Sequence, residues 1–592
     1  MIKPNTIILL LLFAFFTVGM NIYTETSLGG QGIIQTYNSI TAIEITFLIS
    51  LIVILCPLNK RIYISPIFKF LLLLAGAILI SSLFNTNKQW DVFLSISCIV
   101  LLIVGVFSVY QLDVSEVKKL LWILVVGSSI QGLVGILQVH DVKWVTNWTS
   151  YLYANTNYKV PLSIFRQVNV FGSFLVSGFA LSLLLVVNYS KSKVEYVVLF
   201  SLIVIQGYAF YLVKSSRTAM LAVLFAIFLL TAYMLYNWLT NNSIIKRVNI
   251  KPNKWVPIVL GILPLIITLN VTINKNSDNR ELQEQVDHAI YKAQNNIMGT
   301  SDPARIAIYS ITWNLIEKKI WTGYGYGSFT RAYEYHLADA GVVKQYTGRT
   351  ELRHPHNIVL YIWAEGGVVP VIALFLLVGA IINVIILSGR IGLLWLAVLT
   401  PISLHLLTEA PFSMSVPHIL LFGLLLGAAT AHAKVSSQYS WQRRLLLSCG
   451  LGLIVIAIPF SVMFGVLYND LLTYTTKLPP NQQRSSTLLI DKSIFEGPLT
   501  YRFNELRAER AFRVAMRSKR AADFKSYIHH AEPLAQFFPD KRTLENLALS
   551  YAMVGDKDSG RKYFNQLAYH YPNRLNWFSL IRYYGEPKID GM

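Results

Sequence analysis

Apolar stretches long enough to cross a hydrocarbon core of about 30 Å recur along almost the whole chain, and that recurrence leaves few folds open. They fall near residues 7–20, 38–57, 66–84, 90–110, 117–138, 163–187, 194–213, 215–238, 255–273, 357–387, 391–408, 412–433 and 445–468. In lipid every backbone N–H and C=O must be satisfied within its own segment, so runs of this length read as helices. The sequence therefore predicts an all-α polytopic membrane protein with about thirteen transmembrane helices. Composition agrees, at 54% hydrophobic and 14% charged over 592 residues. The first stretch resembles the core of a signal peptide. No small-residue cleavage site follows Met20, so the expectation is an uncleaved anchor.

Basic residues in the short loops set the expected orientation. If the helices alternate, Lys3, Lys60, Arg61, Lys118, Lys119, Lys191, Lys193, Lys246, Arg247, Lys251, Lys254, Arg390, Lys434, Arg443 and Arg444 share one side, which the positive-inside bias makes cytoplasmic. The amino terminus is then cytoplasmic. A large loop over 274–356 and everything after Tyr468 fall on the far side, the periplasm of a bacterial inner membrane. The same bias accounts for the net charge of +20, and no basic helix or RNA module calls for nucleic acid. Cys56, Cys98 and Cys449 all lie inside apolar runs, where they read as packing residues.

On this topology the polar residues least expected near membrane depth collect at one face. They are Arg166, Gln167, Asn169, Arg217, Arg305, His354, His356, His405 and Glu409. An arginine within the bilayer costs about 2.5–3.5 kcal/mol even on a lenient scale, so these groups need partners or ligands. Arg353-His354-Pro355-His356-Asn357 is the densest cluster, at the point where the loop re-enters an apolar helix. Guanidinium groups bind phosphate in bidentate fashion and keep their charge. A histidine with an ordinary pKa of about 6.5 is suited to accept a hydroxyl proton. Together they suggest group transfer from a diphosphate-activated, lipid-linked donor to an alcohol.

Several of these segments resemble one family. Arg353-His354-Pro355-His356-Asn357-Ile358-Val359-Leu360, continued by Ala364-Glu365-Gly366-Gly367, is similar to the His-Asn signature of the O-antigen ligase and polymerase superfamily. The helix from Arg305 to Trp313 and the turn Trp321-Thr322-Gly323-Tyr324-Gly325-Tyr326-Gly327-Ser328-Phe329 resemble its arginine helix and glycine-rich turn. Phe165-Arg166-Gln167-Val168-Asn169 and His405-Leu406-Leu407-Thr408-Glu409-Ala410-Pro411 are similar to its protein-glycosylating branch, the pilin-type O-oligosaccharyltransferases. The resemblance covers about 160–435. It departs at Phe412-Ser413-Met414-Ser415, where that branch places aromatic residues, so glycan or acceptor preference differs there.

The resemblance implies an enzyme that moves a preassembled glycan from undecaprenyl diphosphate to Ser or Thr of a periplasmic protein such as a type IV pilin. His356 would be the general base, with His354 as second candidate; Arg217 and Arg305 would hold the diphosphate. Arg166, Gln167, Asn169, Asn357 and Glu409 would orient donor or acceptor. Direct attack on the anomeric carbon would invert it. The enzymatic alternatives are a ligase acting on lipid A core and a polymerase acting on another lipid-linked repeat. The non-enzyme alternative, a lipid-linked glycan transporter, would place polar groups along a midplane path.

No cofactor or metal is expected. No Asp or Glu cluster stands beside His354-x-His356 to complete three or four ligands, and arginines supply the charge. Pro355 lets His356 and Asn357 open the following helix as caps. Gly323-x-Gly325-x-Gly327 lacks the spacing of a phosphate loop and reads as a tight turn. Asp556-Lys557-Asp558 resembles a nucleotide-sugar motif but sits between two helical patterns, as a turn would.

The expected domains are N-terminal helices over 1–160, a catalytic membrane domain over 161–469, and a soluble helical domain over 470–592. In the last, helical patterns over 503–516, 521–538, 543–554 and 559–571 repeat with a tetratricopeptide-like period closed by Phe538-Pro539 and Tyr571-Pro572.

Overall fold

The computed structural model describes residues 4–21, 63–84, 89–110, 112–149, 160–165, 167–213, 216–241, 302–339, 352, 354–433, 437–438, 500–537, 539–571 and 578–587. Its apolar helices are α1 (Pro4–Thr17), α2 (Pro66–Ser82), α3 (Gln89–Tyr110), α4 (Val114–Val139), α5 (Val168–Leu184), α6 (Lys193–Leu212) and α7 (Arg217–Asn241). There follow α8 (Asp302–Lys318), α9 (Phe329–Asp339), α10 (Ile358–Gly366), α11 (Val368–Leu387), α12 (Gly392–Thr408) and α13 (Val416–His432). The tail forms α14 (Thr500–Ser518), α15 (Ala521–Phe537), α16 (Lys541–Val554), α17 (Lys557–His570) and α18 (Phe578–Tyr584). Among the described residues the only strands are the two-residue pair Tyr63–Ile64 and Ser437–Gln438.

Six of these helices are long and apolar enough to cross a membrane, and four shorter ones are comparably apolar. The chain is an all-α, multi-pass membrane protein. These ten fall on ten of the expected spans; those at 38–57, 255–273 and 445–468 lie outside the described residues.

One expected span differs. The apolar run over 357–387 is two helices, α10 and α11, parted at Gly367. Gly367 has φ +74°, and a Cβ there would overlap the backbone carbonyl of Trp321. The break follows from that close approach, which only glycine permits. Residue-by-residue hydropathy carries no trace of it.

Two compact units emerge from the described residues. One draws on Met1–Ala77, Ser95–Glu281 and Ile372–Tyr468, the other on Ile78–Leu94, Leu282–Val371 and Asn469–Met592. In the first, α5 is the central helix: every residue from Val170 to Leu184 is buried, and α4, α6, α7 and α12 pack around it. Small residues allow this approach, since a Cβ at Gly172 would stand 2.7 Å from that of Ala219. The irregular segment before α5 is held by Gln138, whose Oε1 accepts from the N–H of Leu162 (3.1 Å) and Ser163 (2.7 Å). Its Nε2 donates to the Ser163 carbonyl at 2.6 Å. Buried amides of this kind need such partners, and here they fix where α5 begins.

Two cores are seen among the described residues of the second unit. Ile308, Leu315 and Ile316 of α8, Phe329, Tyr333 and Leu337 of α9, and Ala364 of α10 form the smaller. The tail helices bury the larger, including Leu544, Leu547, Phe564 and Leu567. Observed tail helices match the expected ones to within a few residues, because their apolar residues recur at helical spacing. Asp540 and Asp556 cap α16 and α17 by accepting from Thr543 N–H (3.0 Å) and Ser559 N–H (3.1 Å). Asp556-Lys557-Asp558, expected as a turn, is instead the cap and first two residues of α17, because the Asp556 carboxylate satisfies the Ser559 N–H.

Tail and loop helices meet within this unit. Tyr569 of α17 donates to the Asp339 carboxylate of α9, and the rings of Tyr335 and His570 meet edge to face at 4.7 Å. Burial, reinforced by Asp339, pushes the Tyr569 hydroxyl up to about 12, which keeps it a donor.

Candidate active site

The expected site residues divide between the two units. In the second, the chain enters α10 through His354, Pro355, His356 and Asn357. The His356 N–H donates to His354 Nδ1 at 3.3 Å, and the two rings meet edge to face at 4.7 Å. A neutral His354 accepting at Nδ1 carries its proton on Nε2. His356 has φ +56°, a left-handed conformation that costs a non-glycine residue about 1 kcal/mol or more and persists only when its surroundings impose it.

Contacts on either side help to hold it. Tyr309 donates its hydroxyl to the His356 carbonyl at 3.2 Å. Asn357 caps α10, its Oδ1 accepting from Val359 N–H at 2.9 Å and Leu360 N–H at 3.1 Å. The capping expected of Asn357 is present, and it engages that oxygen. Arg305 is half-buried in the first turns of α8, one helical turn before Tyr309 and on the same face.

The far end of α10 is anchored as firmly. The N–H groups of Tyr324 and Gly325 donate to the carbonyls of Ala364 (2.8 Å) and Glu365 (2.9 Å). Glu365 is 3% exposed, and its Oε1 accepts from Gly327 N–H at 3.0 Å and Phe329 N–H at 3.2 Å. Gly323, Gly325 and Gly327 all have positive φ, so the expected turn is real, and it wraps the Glu365 carboxylate. Sequence reasoning placed Glu365 in a motif and gave it no role.

In the first unit, Gln167 precedes α5 and its Nε2 reaches the Oε1 of Glu409, at the end of α12, over a long 3.5 Å. Glu409 is 1% exposed. Asn169 lies half-buried in the first turn of α5. Arg217 is the exposed first residue of α7; beside it the buried Thr218 pairs with Thr408 through their hydroxyls at 3.2 Å. Arg166 and Arg353 lie outside the described residues.

Deeper along these helices, Ser173, His405, Ser415 and His418 form a buried hydrogen-bonded chain. Only His405 stands out in the sequence. The pair of histidines thirteen residues apart in otherwise apolar surroundings is the signal that could have found the rest.

A multi-pass helical membrane protein with histidine, arginine and carboxamide groups at its helix ends is the class this geometry defines. Residues 204–375 match the family described as O-antigen ligase, and residues 393–579 match that described as virulence factor membrane-bound polymerase, C-terminal. Together the two matches support a relation to the O-antigen ligase superfamily. The first match contains Arg217, Arg305, His354, His356 and Glu365; the second runs from α12 through α17. No curated protein matches the chain.

Proposed function

We propose that this enzyme of O-antigen ligase or polymerase type transfers a preassembled oligosaccharide from undecaprenyl diphosphate to a serine or threonine hydroxyl of a periplasmic protein such as a type IV pilin. The observation that carries the reading is the Tyr309 to His356 hydrogen bond, which joins the helix bearing Arg305 to the histidine junction. A base and a permanent cation then belong to one polar corner. His356, or His354 behind it, takes the proton from the acceptor hydroxyl as the oxygen attacks the anomeric carbon. The bond from that carbon to the diphosphate oxygen breaks, and configuration inverts.

Arg305 and Arg217 hold the diphosphate and stabilise its charge as it leaves. Arg166, Gln167, Asn169, Asn357 and Glu409 orient donor and acceptor. The arginines make a metal unnecessary, so turnover persists in excess chelator. The loop over 274–356 and the tail are assigned to the periplasmic side of the inner membrane. The soluble tail over 470–592, with its tetratricopeptide-like helix pairs, is assigned to acceptor contact, since such domains often accompany the protein-glycosylating branch.

The polymerase description of the second match favours one other reading, transfer to another lipid-linked repeat; the first favours transfer to lipid A core. Intact-mass profiles of periplasmic proteins and electrophoresis of lipopolysaccharide from wild-type, deletion and His356→Ala cells separate the three. Loss of protein glycans in the deletion and in His356→Ala is the expected result. Wild-type protein glycans in the deletion would reject the acceptor, and loss of ladder-form lipopolysaccharide alone would select the ligase or polymerase.

A further inference from the structure

Ser173 sits at the centre of a buried chain of polar groups in the first unit. Its Oγ lies 2.7 Å from His405 Nδ1, 3.1 Å from His418 Nε2 and 3.1 Å from the Val170 carbonyl. His418 Nδ1 lies 2.8 Å from Ser415 Oγ. Ser173, His405, Ser415 and His418 are all fully buried, and Phe165 and Phe174 pack on the His418 ring at 5.4 and 5.3 Å. Four side-chain polar groups inside apolar helices are costly unless they satisfy one another.

The contacts around Ser173 can be made without any charge. A serine hydroxyl has one proton and two lone pairs. Ser173 donates to the Val170 carbonyl and accepts from His405 Nδ1–H and His418 Nε2–H, while Ser415 donates to His418 Nδ1. His418, which donates through one ring nitrogen and accepts through the other, is then neutral and held in one tautomer. A network of directional bonds fixes relative helix position more sharply than apolar packing does, because sliding any helix breaks one of them.

The network ties together the helices that carry the Gln167 and Glu409 pair. Ser173 lies under two turns from Gln167, at the start of α5, and His405 lies one turn before Glu409, whose N–H donates to the His405 carbonyl at 2.8 Å. His418 adds α13 as a third support. Gln167 and Glu409 meet only at 3.5 Å, a contact too long to set its own geometry.

We propose that Ser173, His405 and His418 are positioning residues that set the register of α5 against α12, and so aim Gln167, Asn169 and Glu409 at the substrate. The assignment of those three to substrate rests on the transferase reading above; the register claim does not. Removing the network leaves the helices packed and misaligned by a fraction of a turn. Turnover then falls, and each single substitution also costs stability, since it leaves a former partner buried without its bond.

The test uses the full chain in lipid nanodiscs, with Ser173→Ala, His405→Leu and His405→Asn. Asparagine places an amide near the position of Nδ1 and restores one bond; leucine fills the volume alone. Amide hydrogen exchange over 167–171 and 405–410 should rise about tenfold relative to the other apolar helices in Ser173→Ala and His405→Leu, with kcat down about tenfold, donor KM within about twofold, and the melting midpoint lowered with unfolding still cooperative. His405→Asn should recover most of both losses. Wild-type exchange in His405→Leu, or no advantage of asparagine over leucine in exchange, would overturn the register claim. Wild-type protein that consumes no lipid-linked donor with any acceptor would instead sink the transferase reading, and the exchange measurements would still decide the network.

Discussion

The Oε1 of Glu365 accepts the Gly327 N–H at 3.0 Å and so pins a glycine-rich turn against the carboxy-terminal end of the helix that His356 and Asn357 begin. Orientation of the histidine junction is therefore set from both ends of a helix only nine residues long. Glu365→Ala should leave the Gly327 and Phe329 N–H groups buried without that acceptor, at about 1–3 kcal/mol. Glu365→Gln, which keeps an oxygen in place, should lose less. Detergent-solubilised melting midpoints of the two variants check this ordering.

Tyr309→Phe removes the hydroxyl that holds the His356 carbonyl and nothing else. We expect turnover to drop about three- to tenfold, in line with a net hydrogen bond of about 0.5–1.5 kcal/mol, with donor KM little changed. His356→Ala should fall further, by about 10² or more if it removes the base. Initial rates with a lipid-linked donor and an acceptor peptide distinguish the two. Equal losses would mean that the ring of His356 takes no part in proton transfer.

Gly367→Ala and Gly323→Ala should prevent folding of the loop unit. Both glycines have positive φ, and a Cβ at either would overlap backbone, of Trp321 and Glu365 respectively. Gly379→Ala, in α11 with nothing within 4 Å of the added carbon, should be neutral or stabilising by up to about 1 kcal/mol. Yield of monodisperse protein after extraction is a sufficient readout.

The two cap aspartates of the tail should respond to pH with opposite sign. Burial raises the Asp540 carboxyl above its ordinary 3.8, so the stability linked to it is present below 3.8 and lost as pH rises through the folded value. The Ser559 N–H lowers the Asp556 carboxyl, so its stabilisation is present above 3.8 and lost as pH falls through the folded value. Asparagine caps helices about as well as aspartate. Between about pH 3 and pH 7, Asp540→Asn should therefore gain on wild type as pH rises above about 4, while Asp556→Asn should trail wild type above about 4 and close the gap as pH falls below it. Thermal melts of the full chain across that range check both.

Apolar helices were legible because their length and lack of charge admit one solution in lipid, and the tail helices because Leu544, Leu547, Phe564 and Leu567 keep helical spacing. The break at Gly367 was not, since its cause is the Trp321 carbonyl, remote in sequence. Of the site, His354, His356 and Asn357 announce themselves as polar groups at an apolar boundary. Tyr309, Glu365 and Ser173 do not: their meaning lies in a partner elsewhere in the chain, and a tyrosine, a helix-end glutamate and a serine are ordinary where they stand.

The contact between α9 and α17 bears on how such proteins can be recombined. One face of α9 gives Phe329, Tyr333 and Leu337 to the core beside the histidine junction; the other offers Tyr335 and Asp339 to the tail. A tail exchanged alone between relatives would arrive without the surface that it was shaped against. Grafts that carry α9 together with 500–584 should assemble, whereas a cut placed at the last membrane span should give a chimera whose loop unit has lost one of its walls.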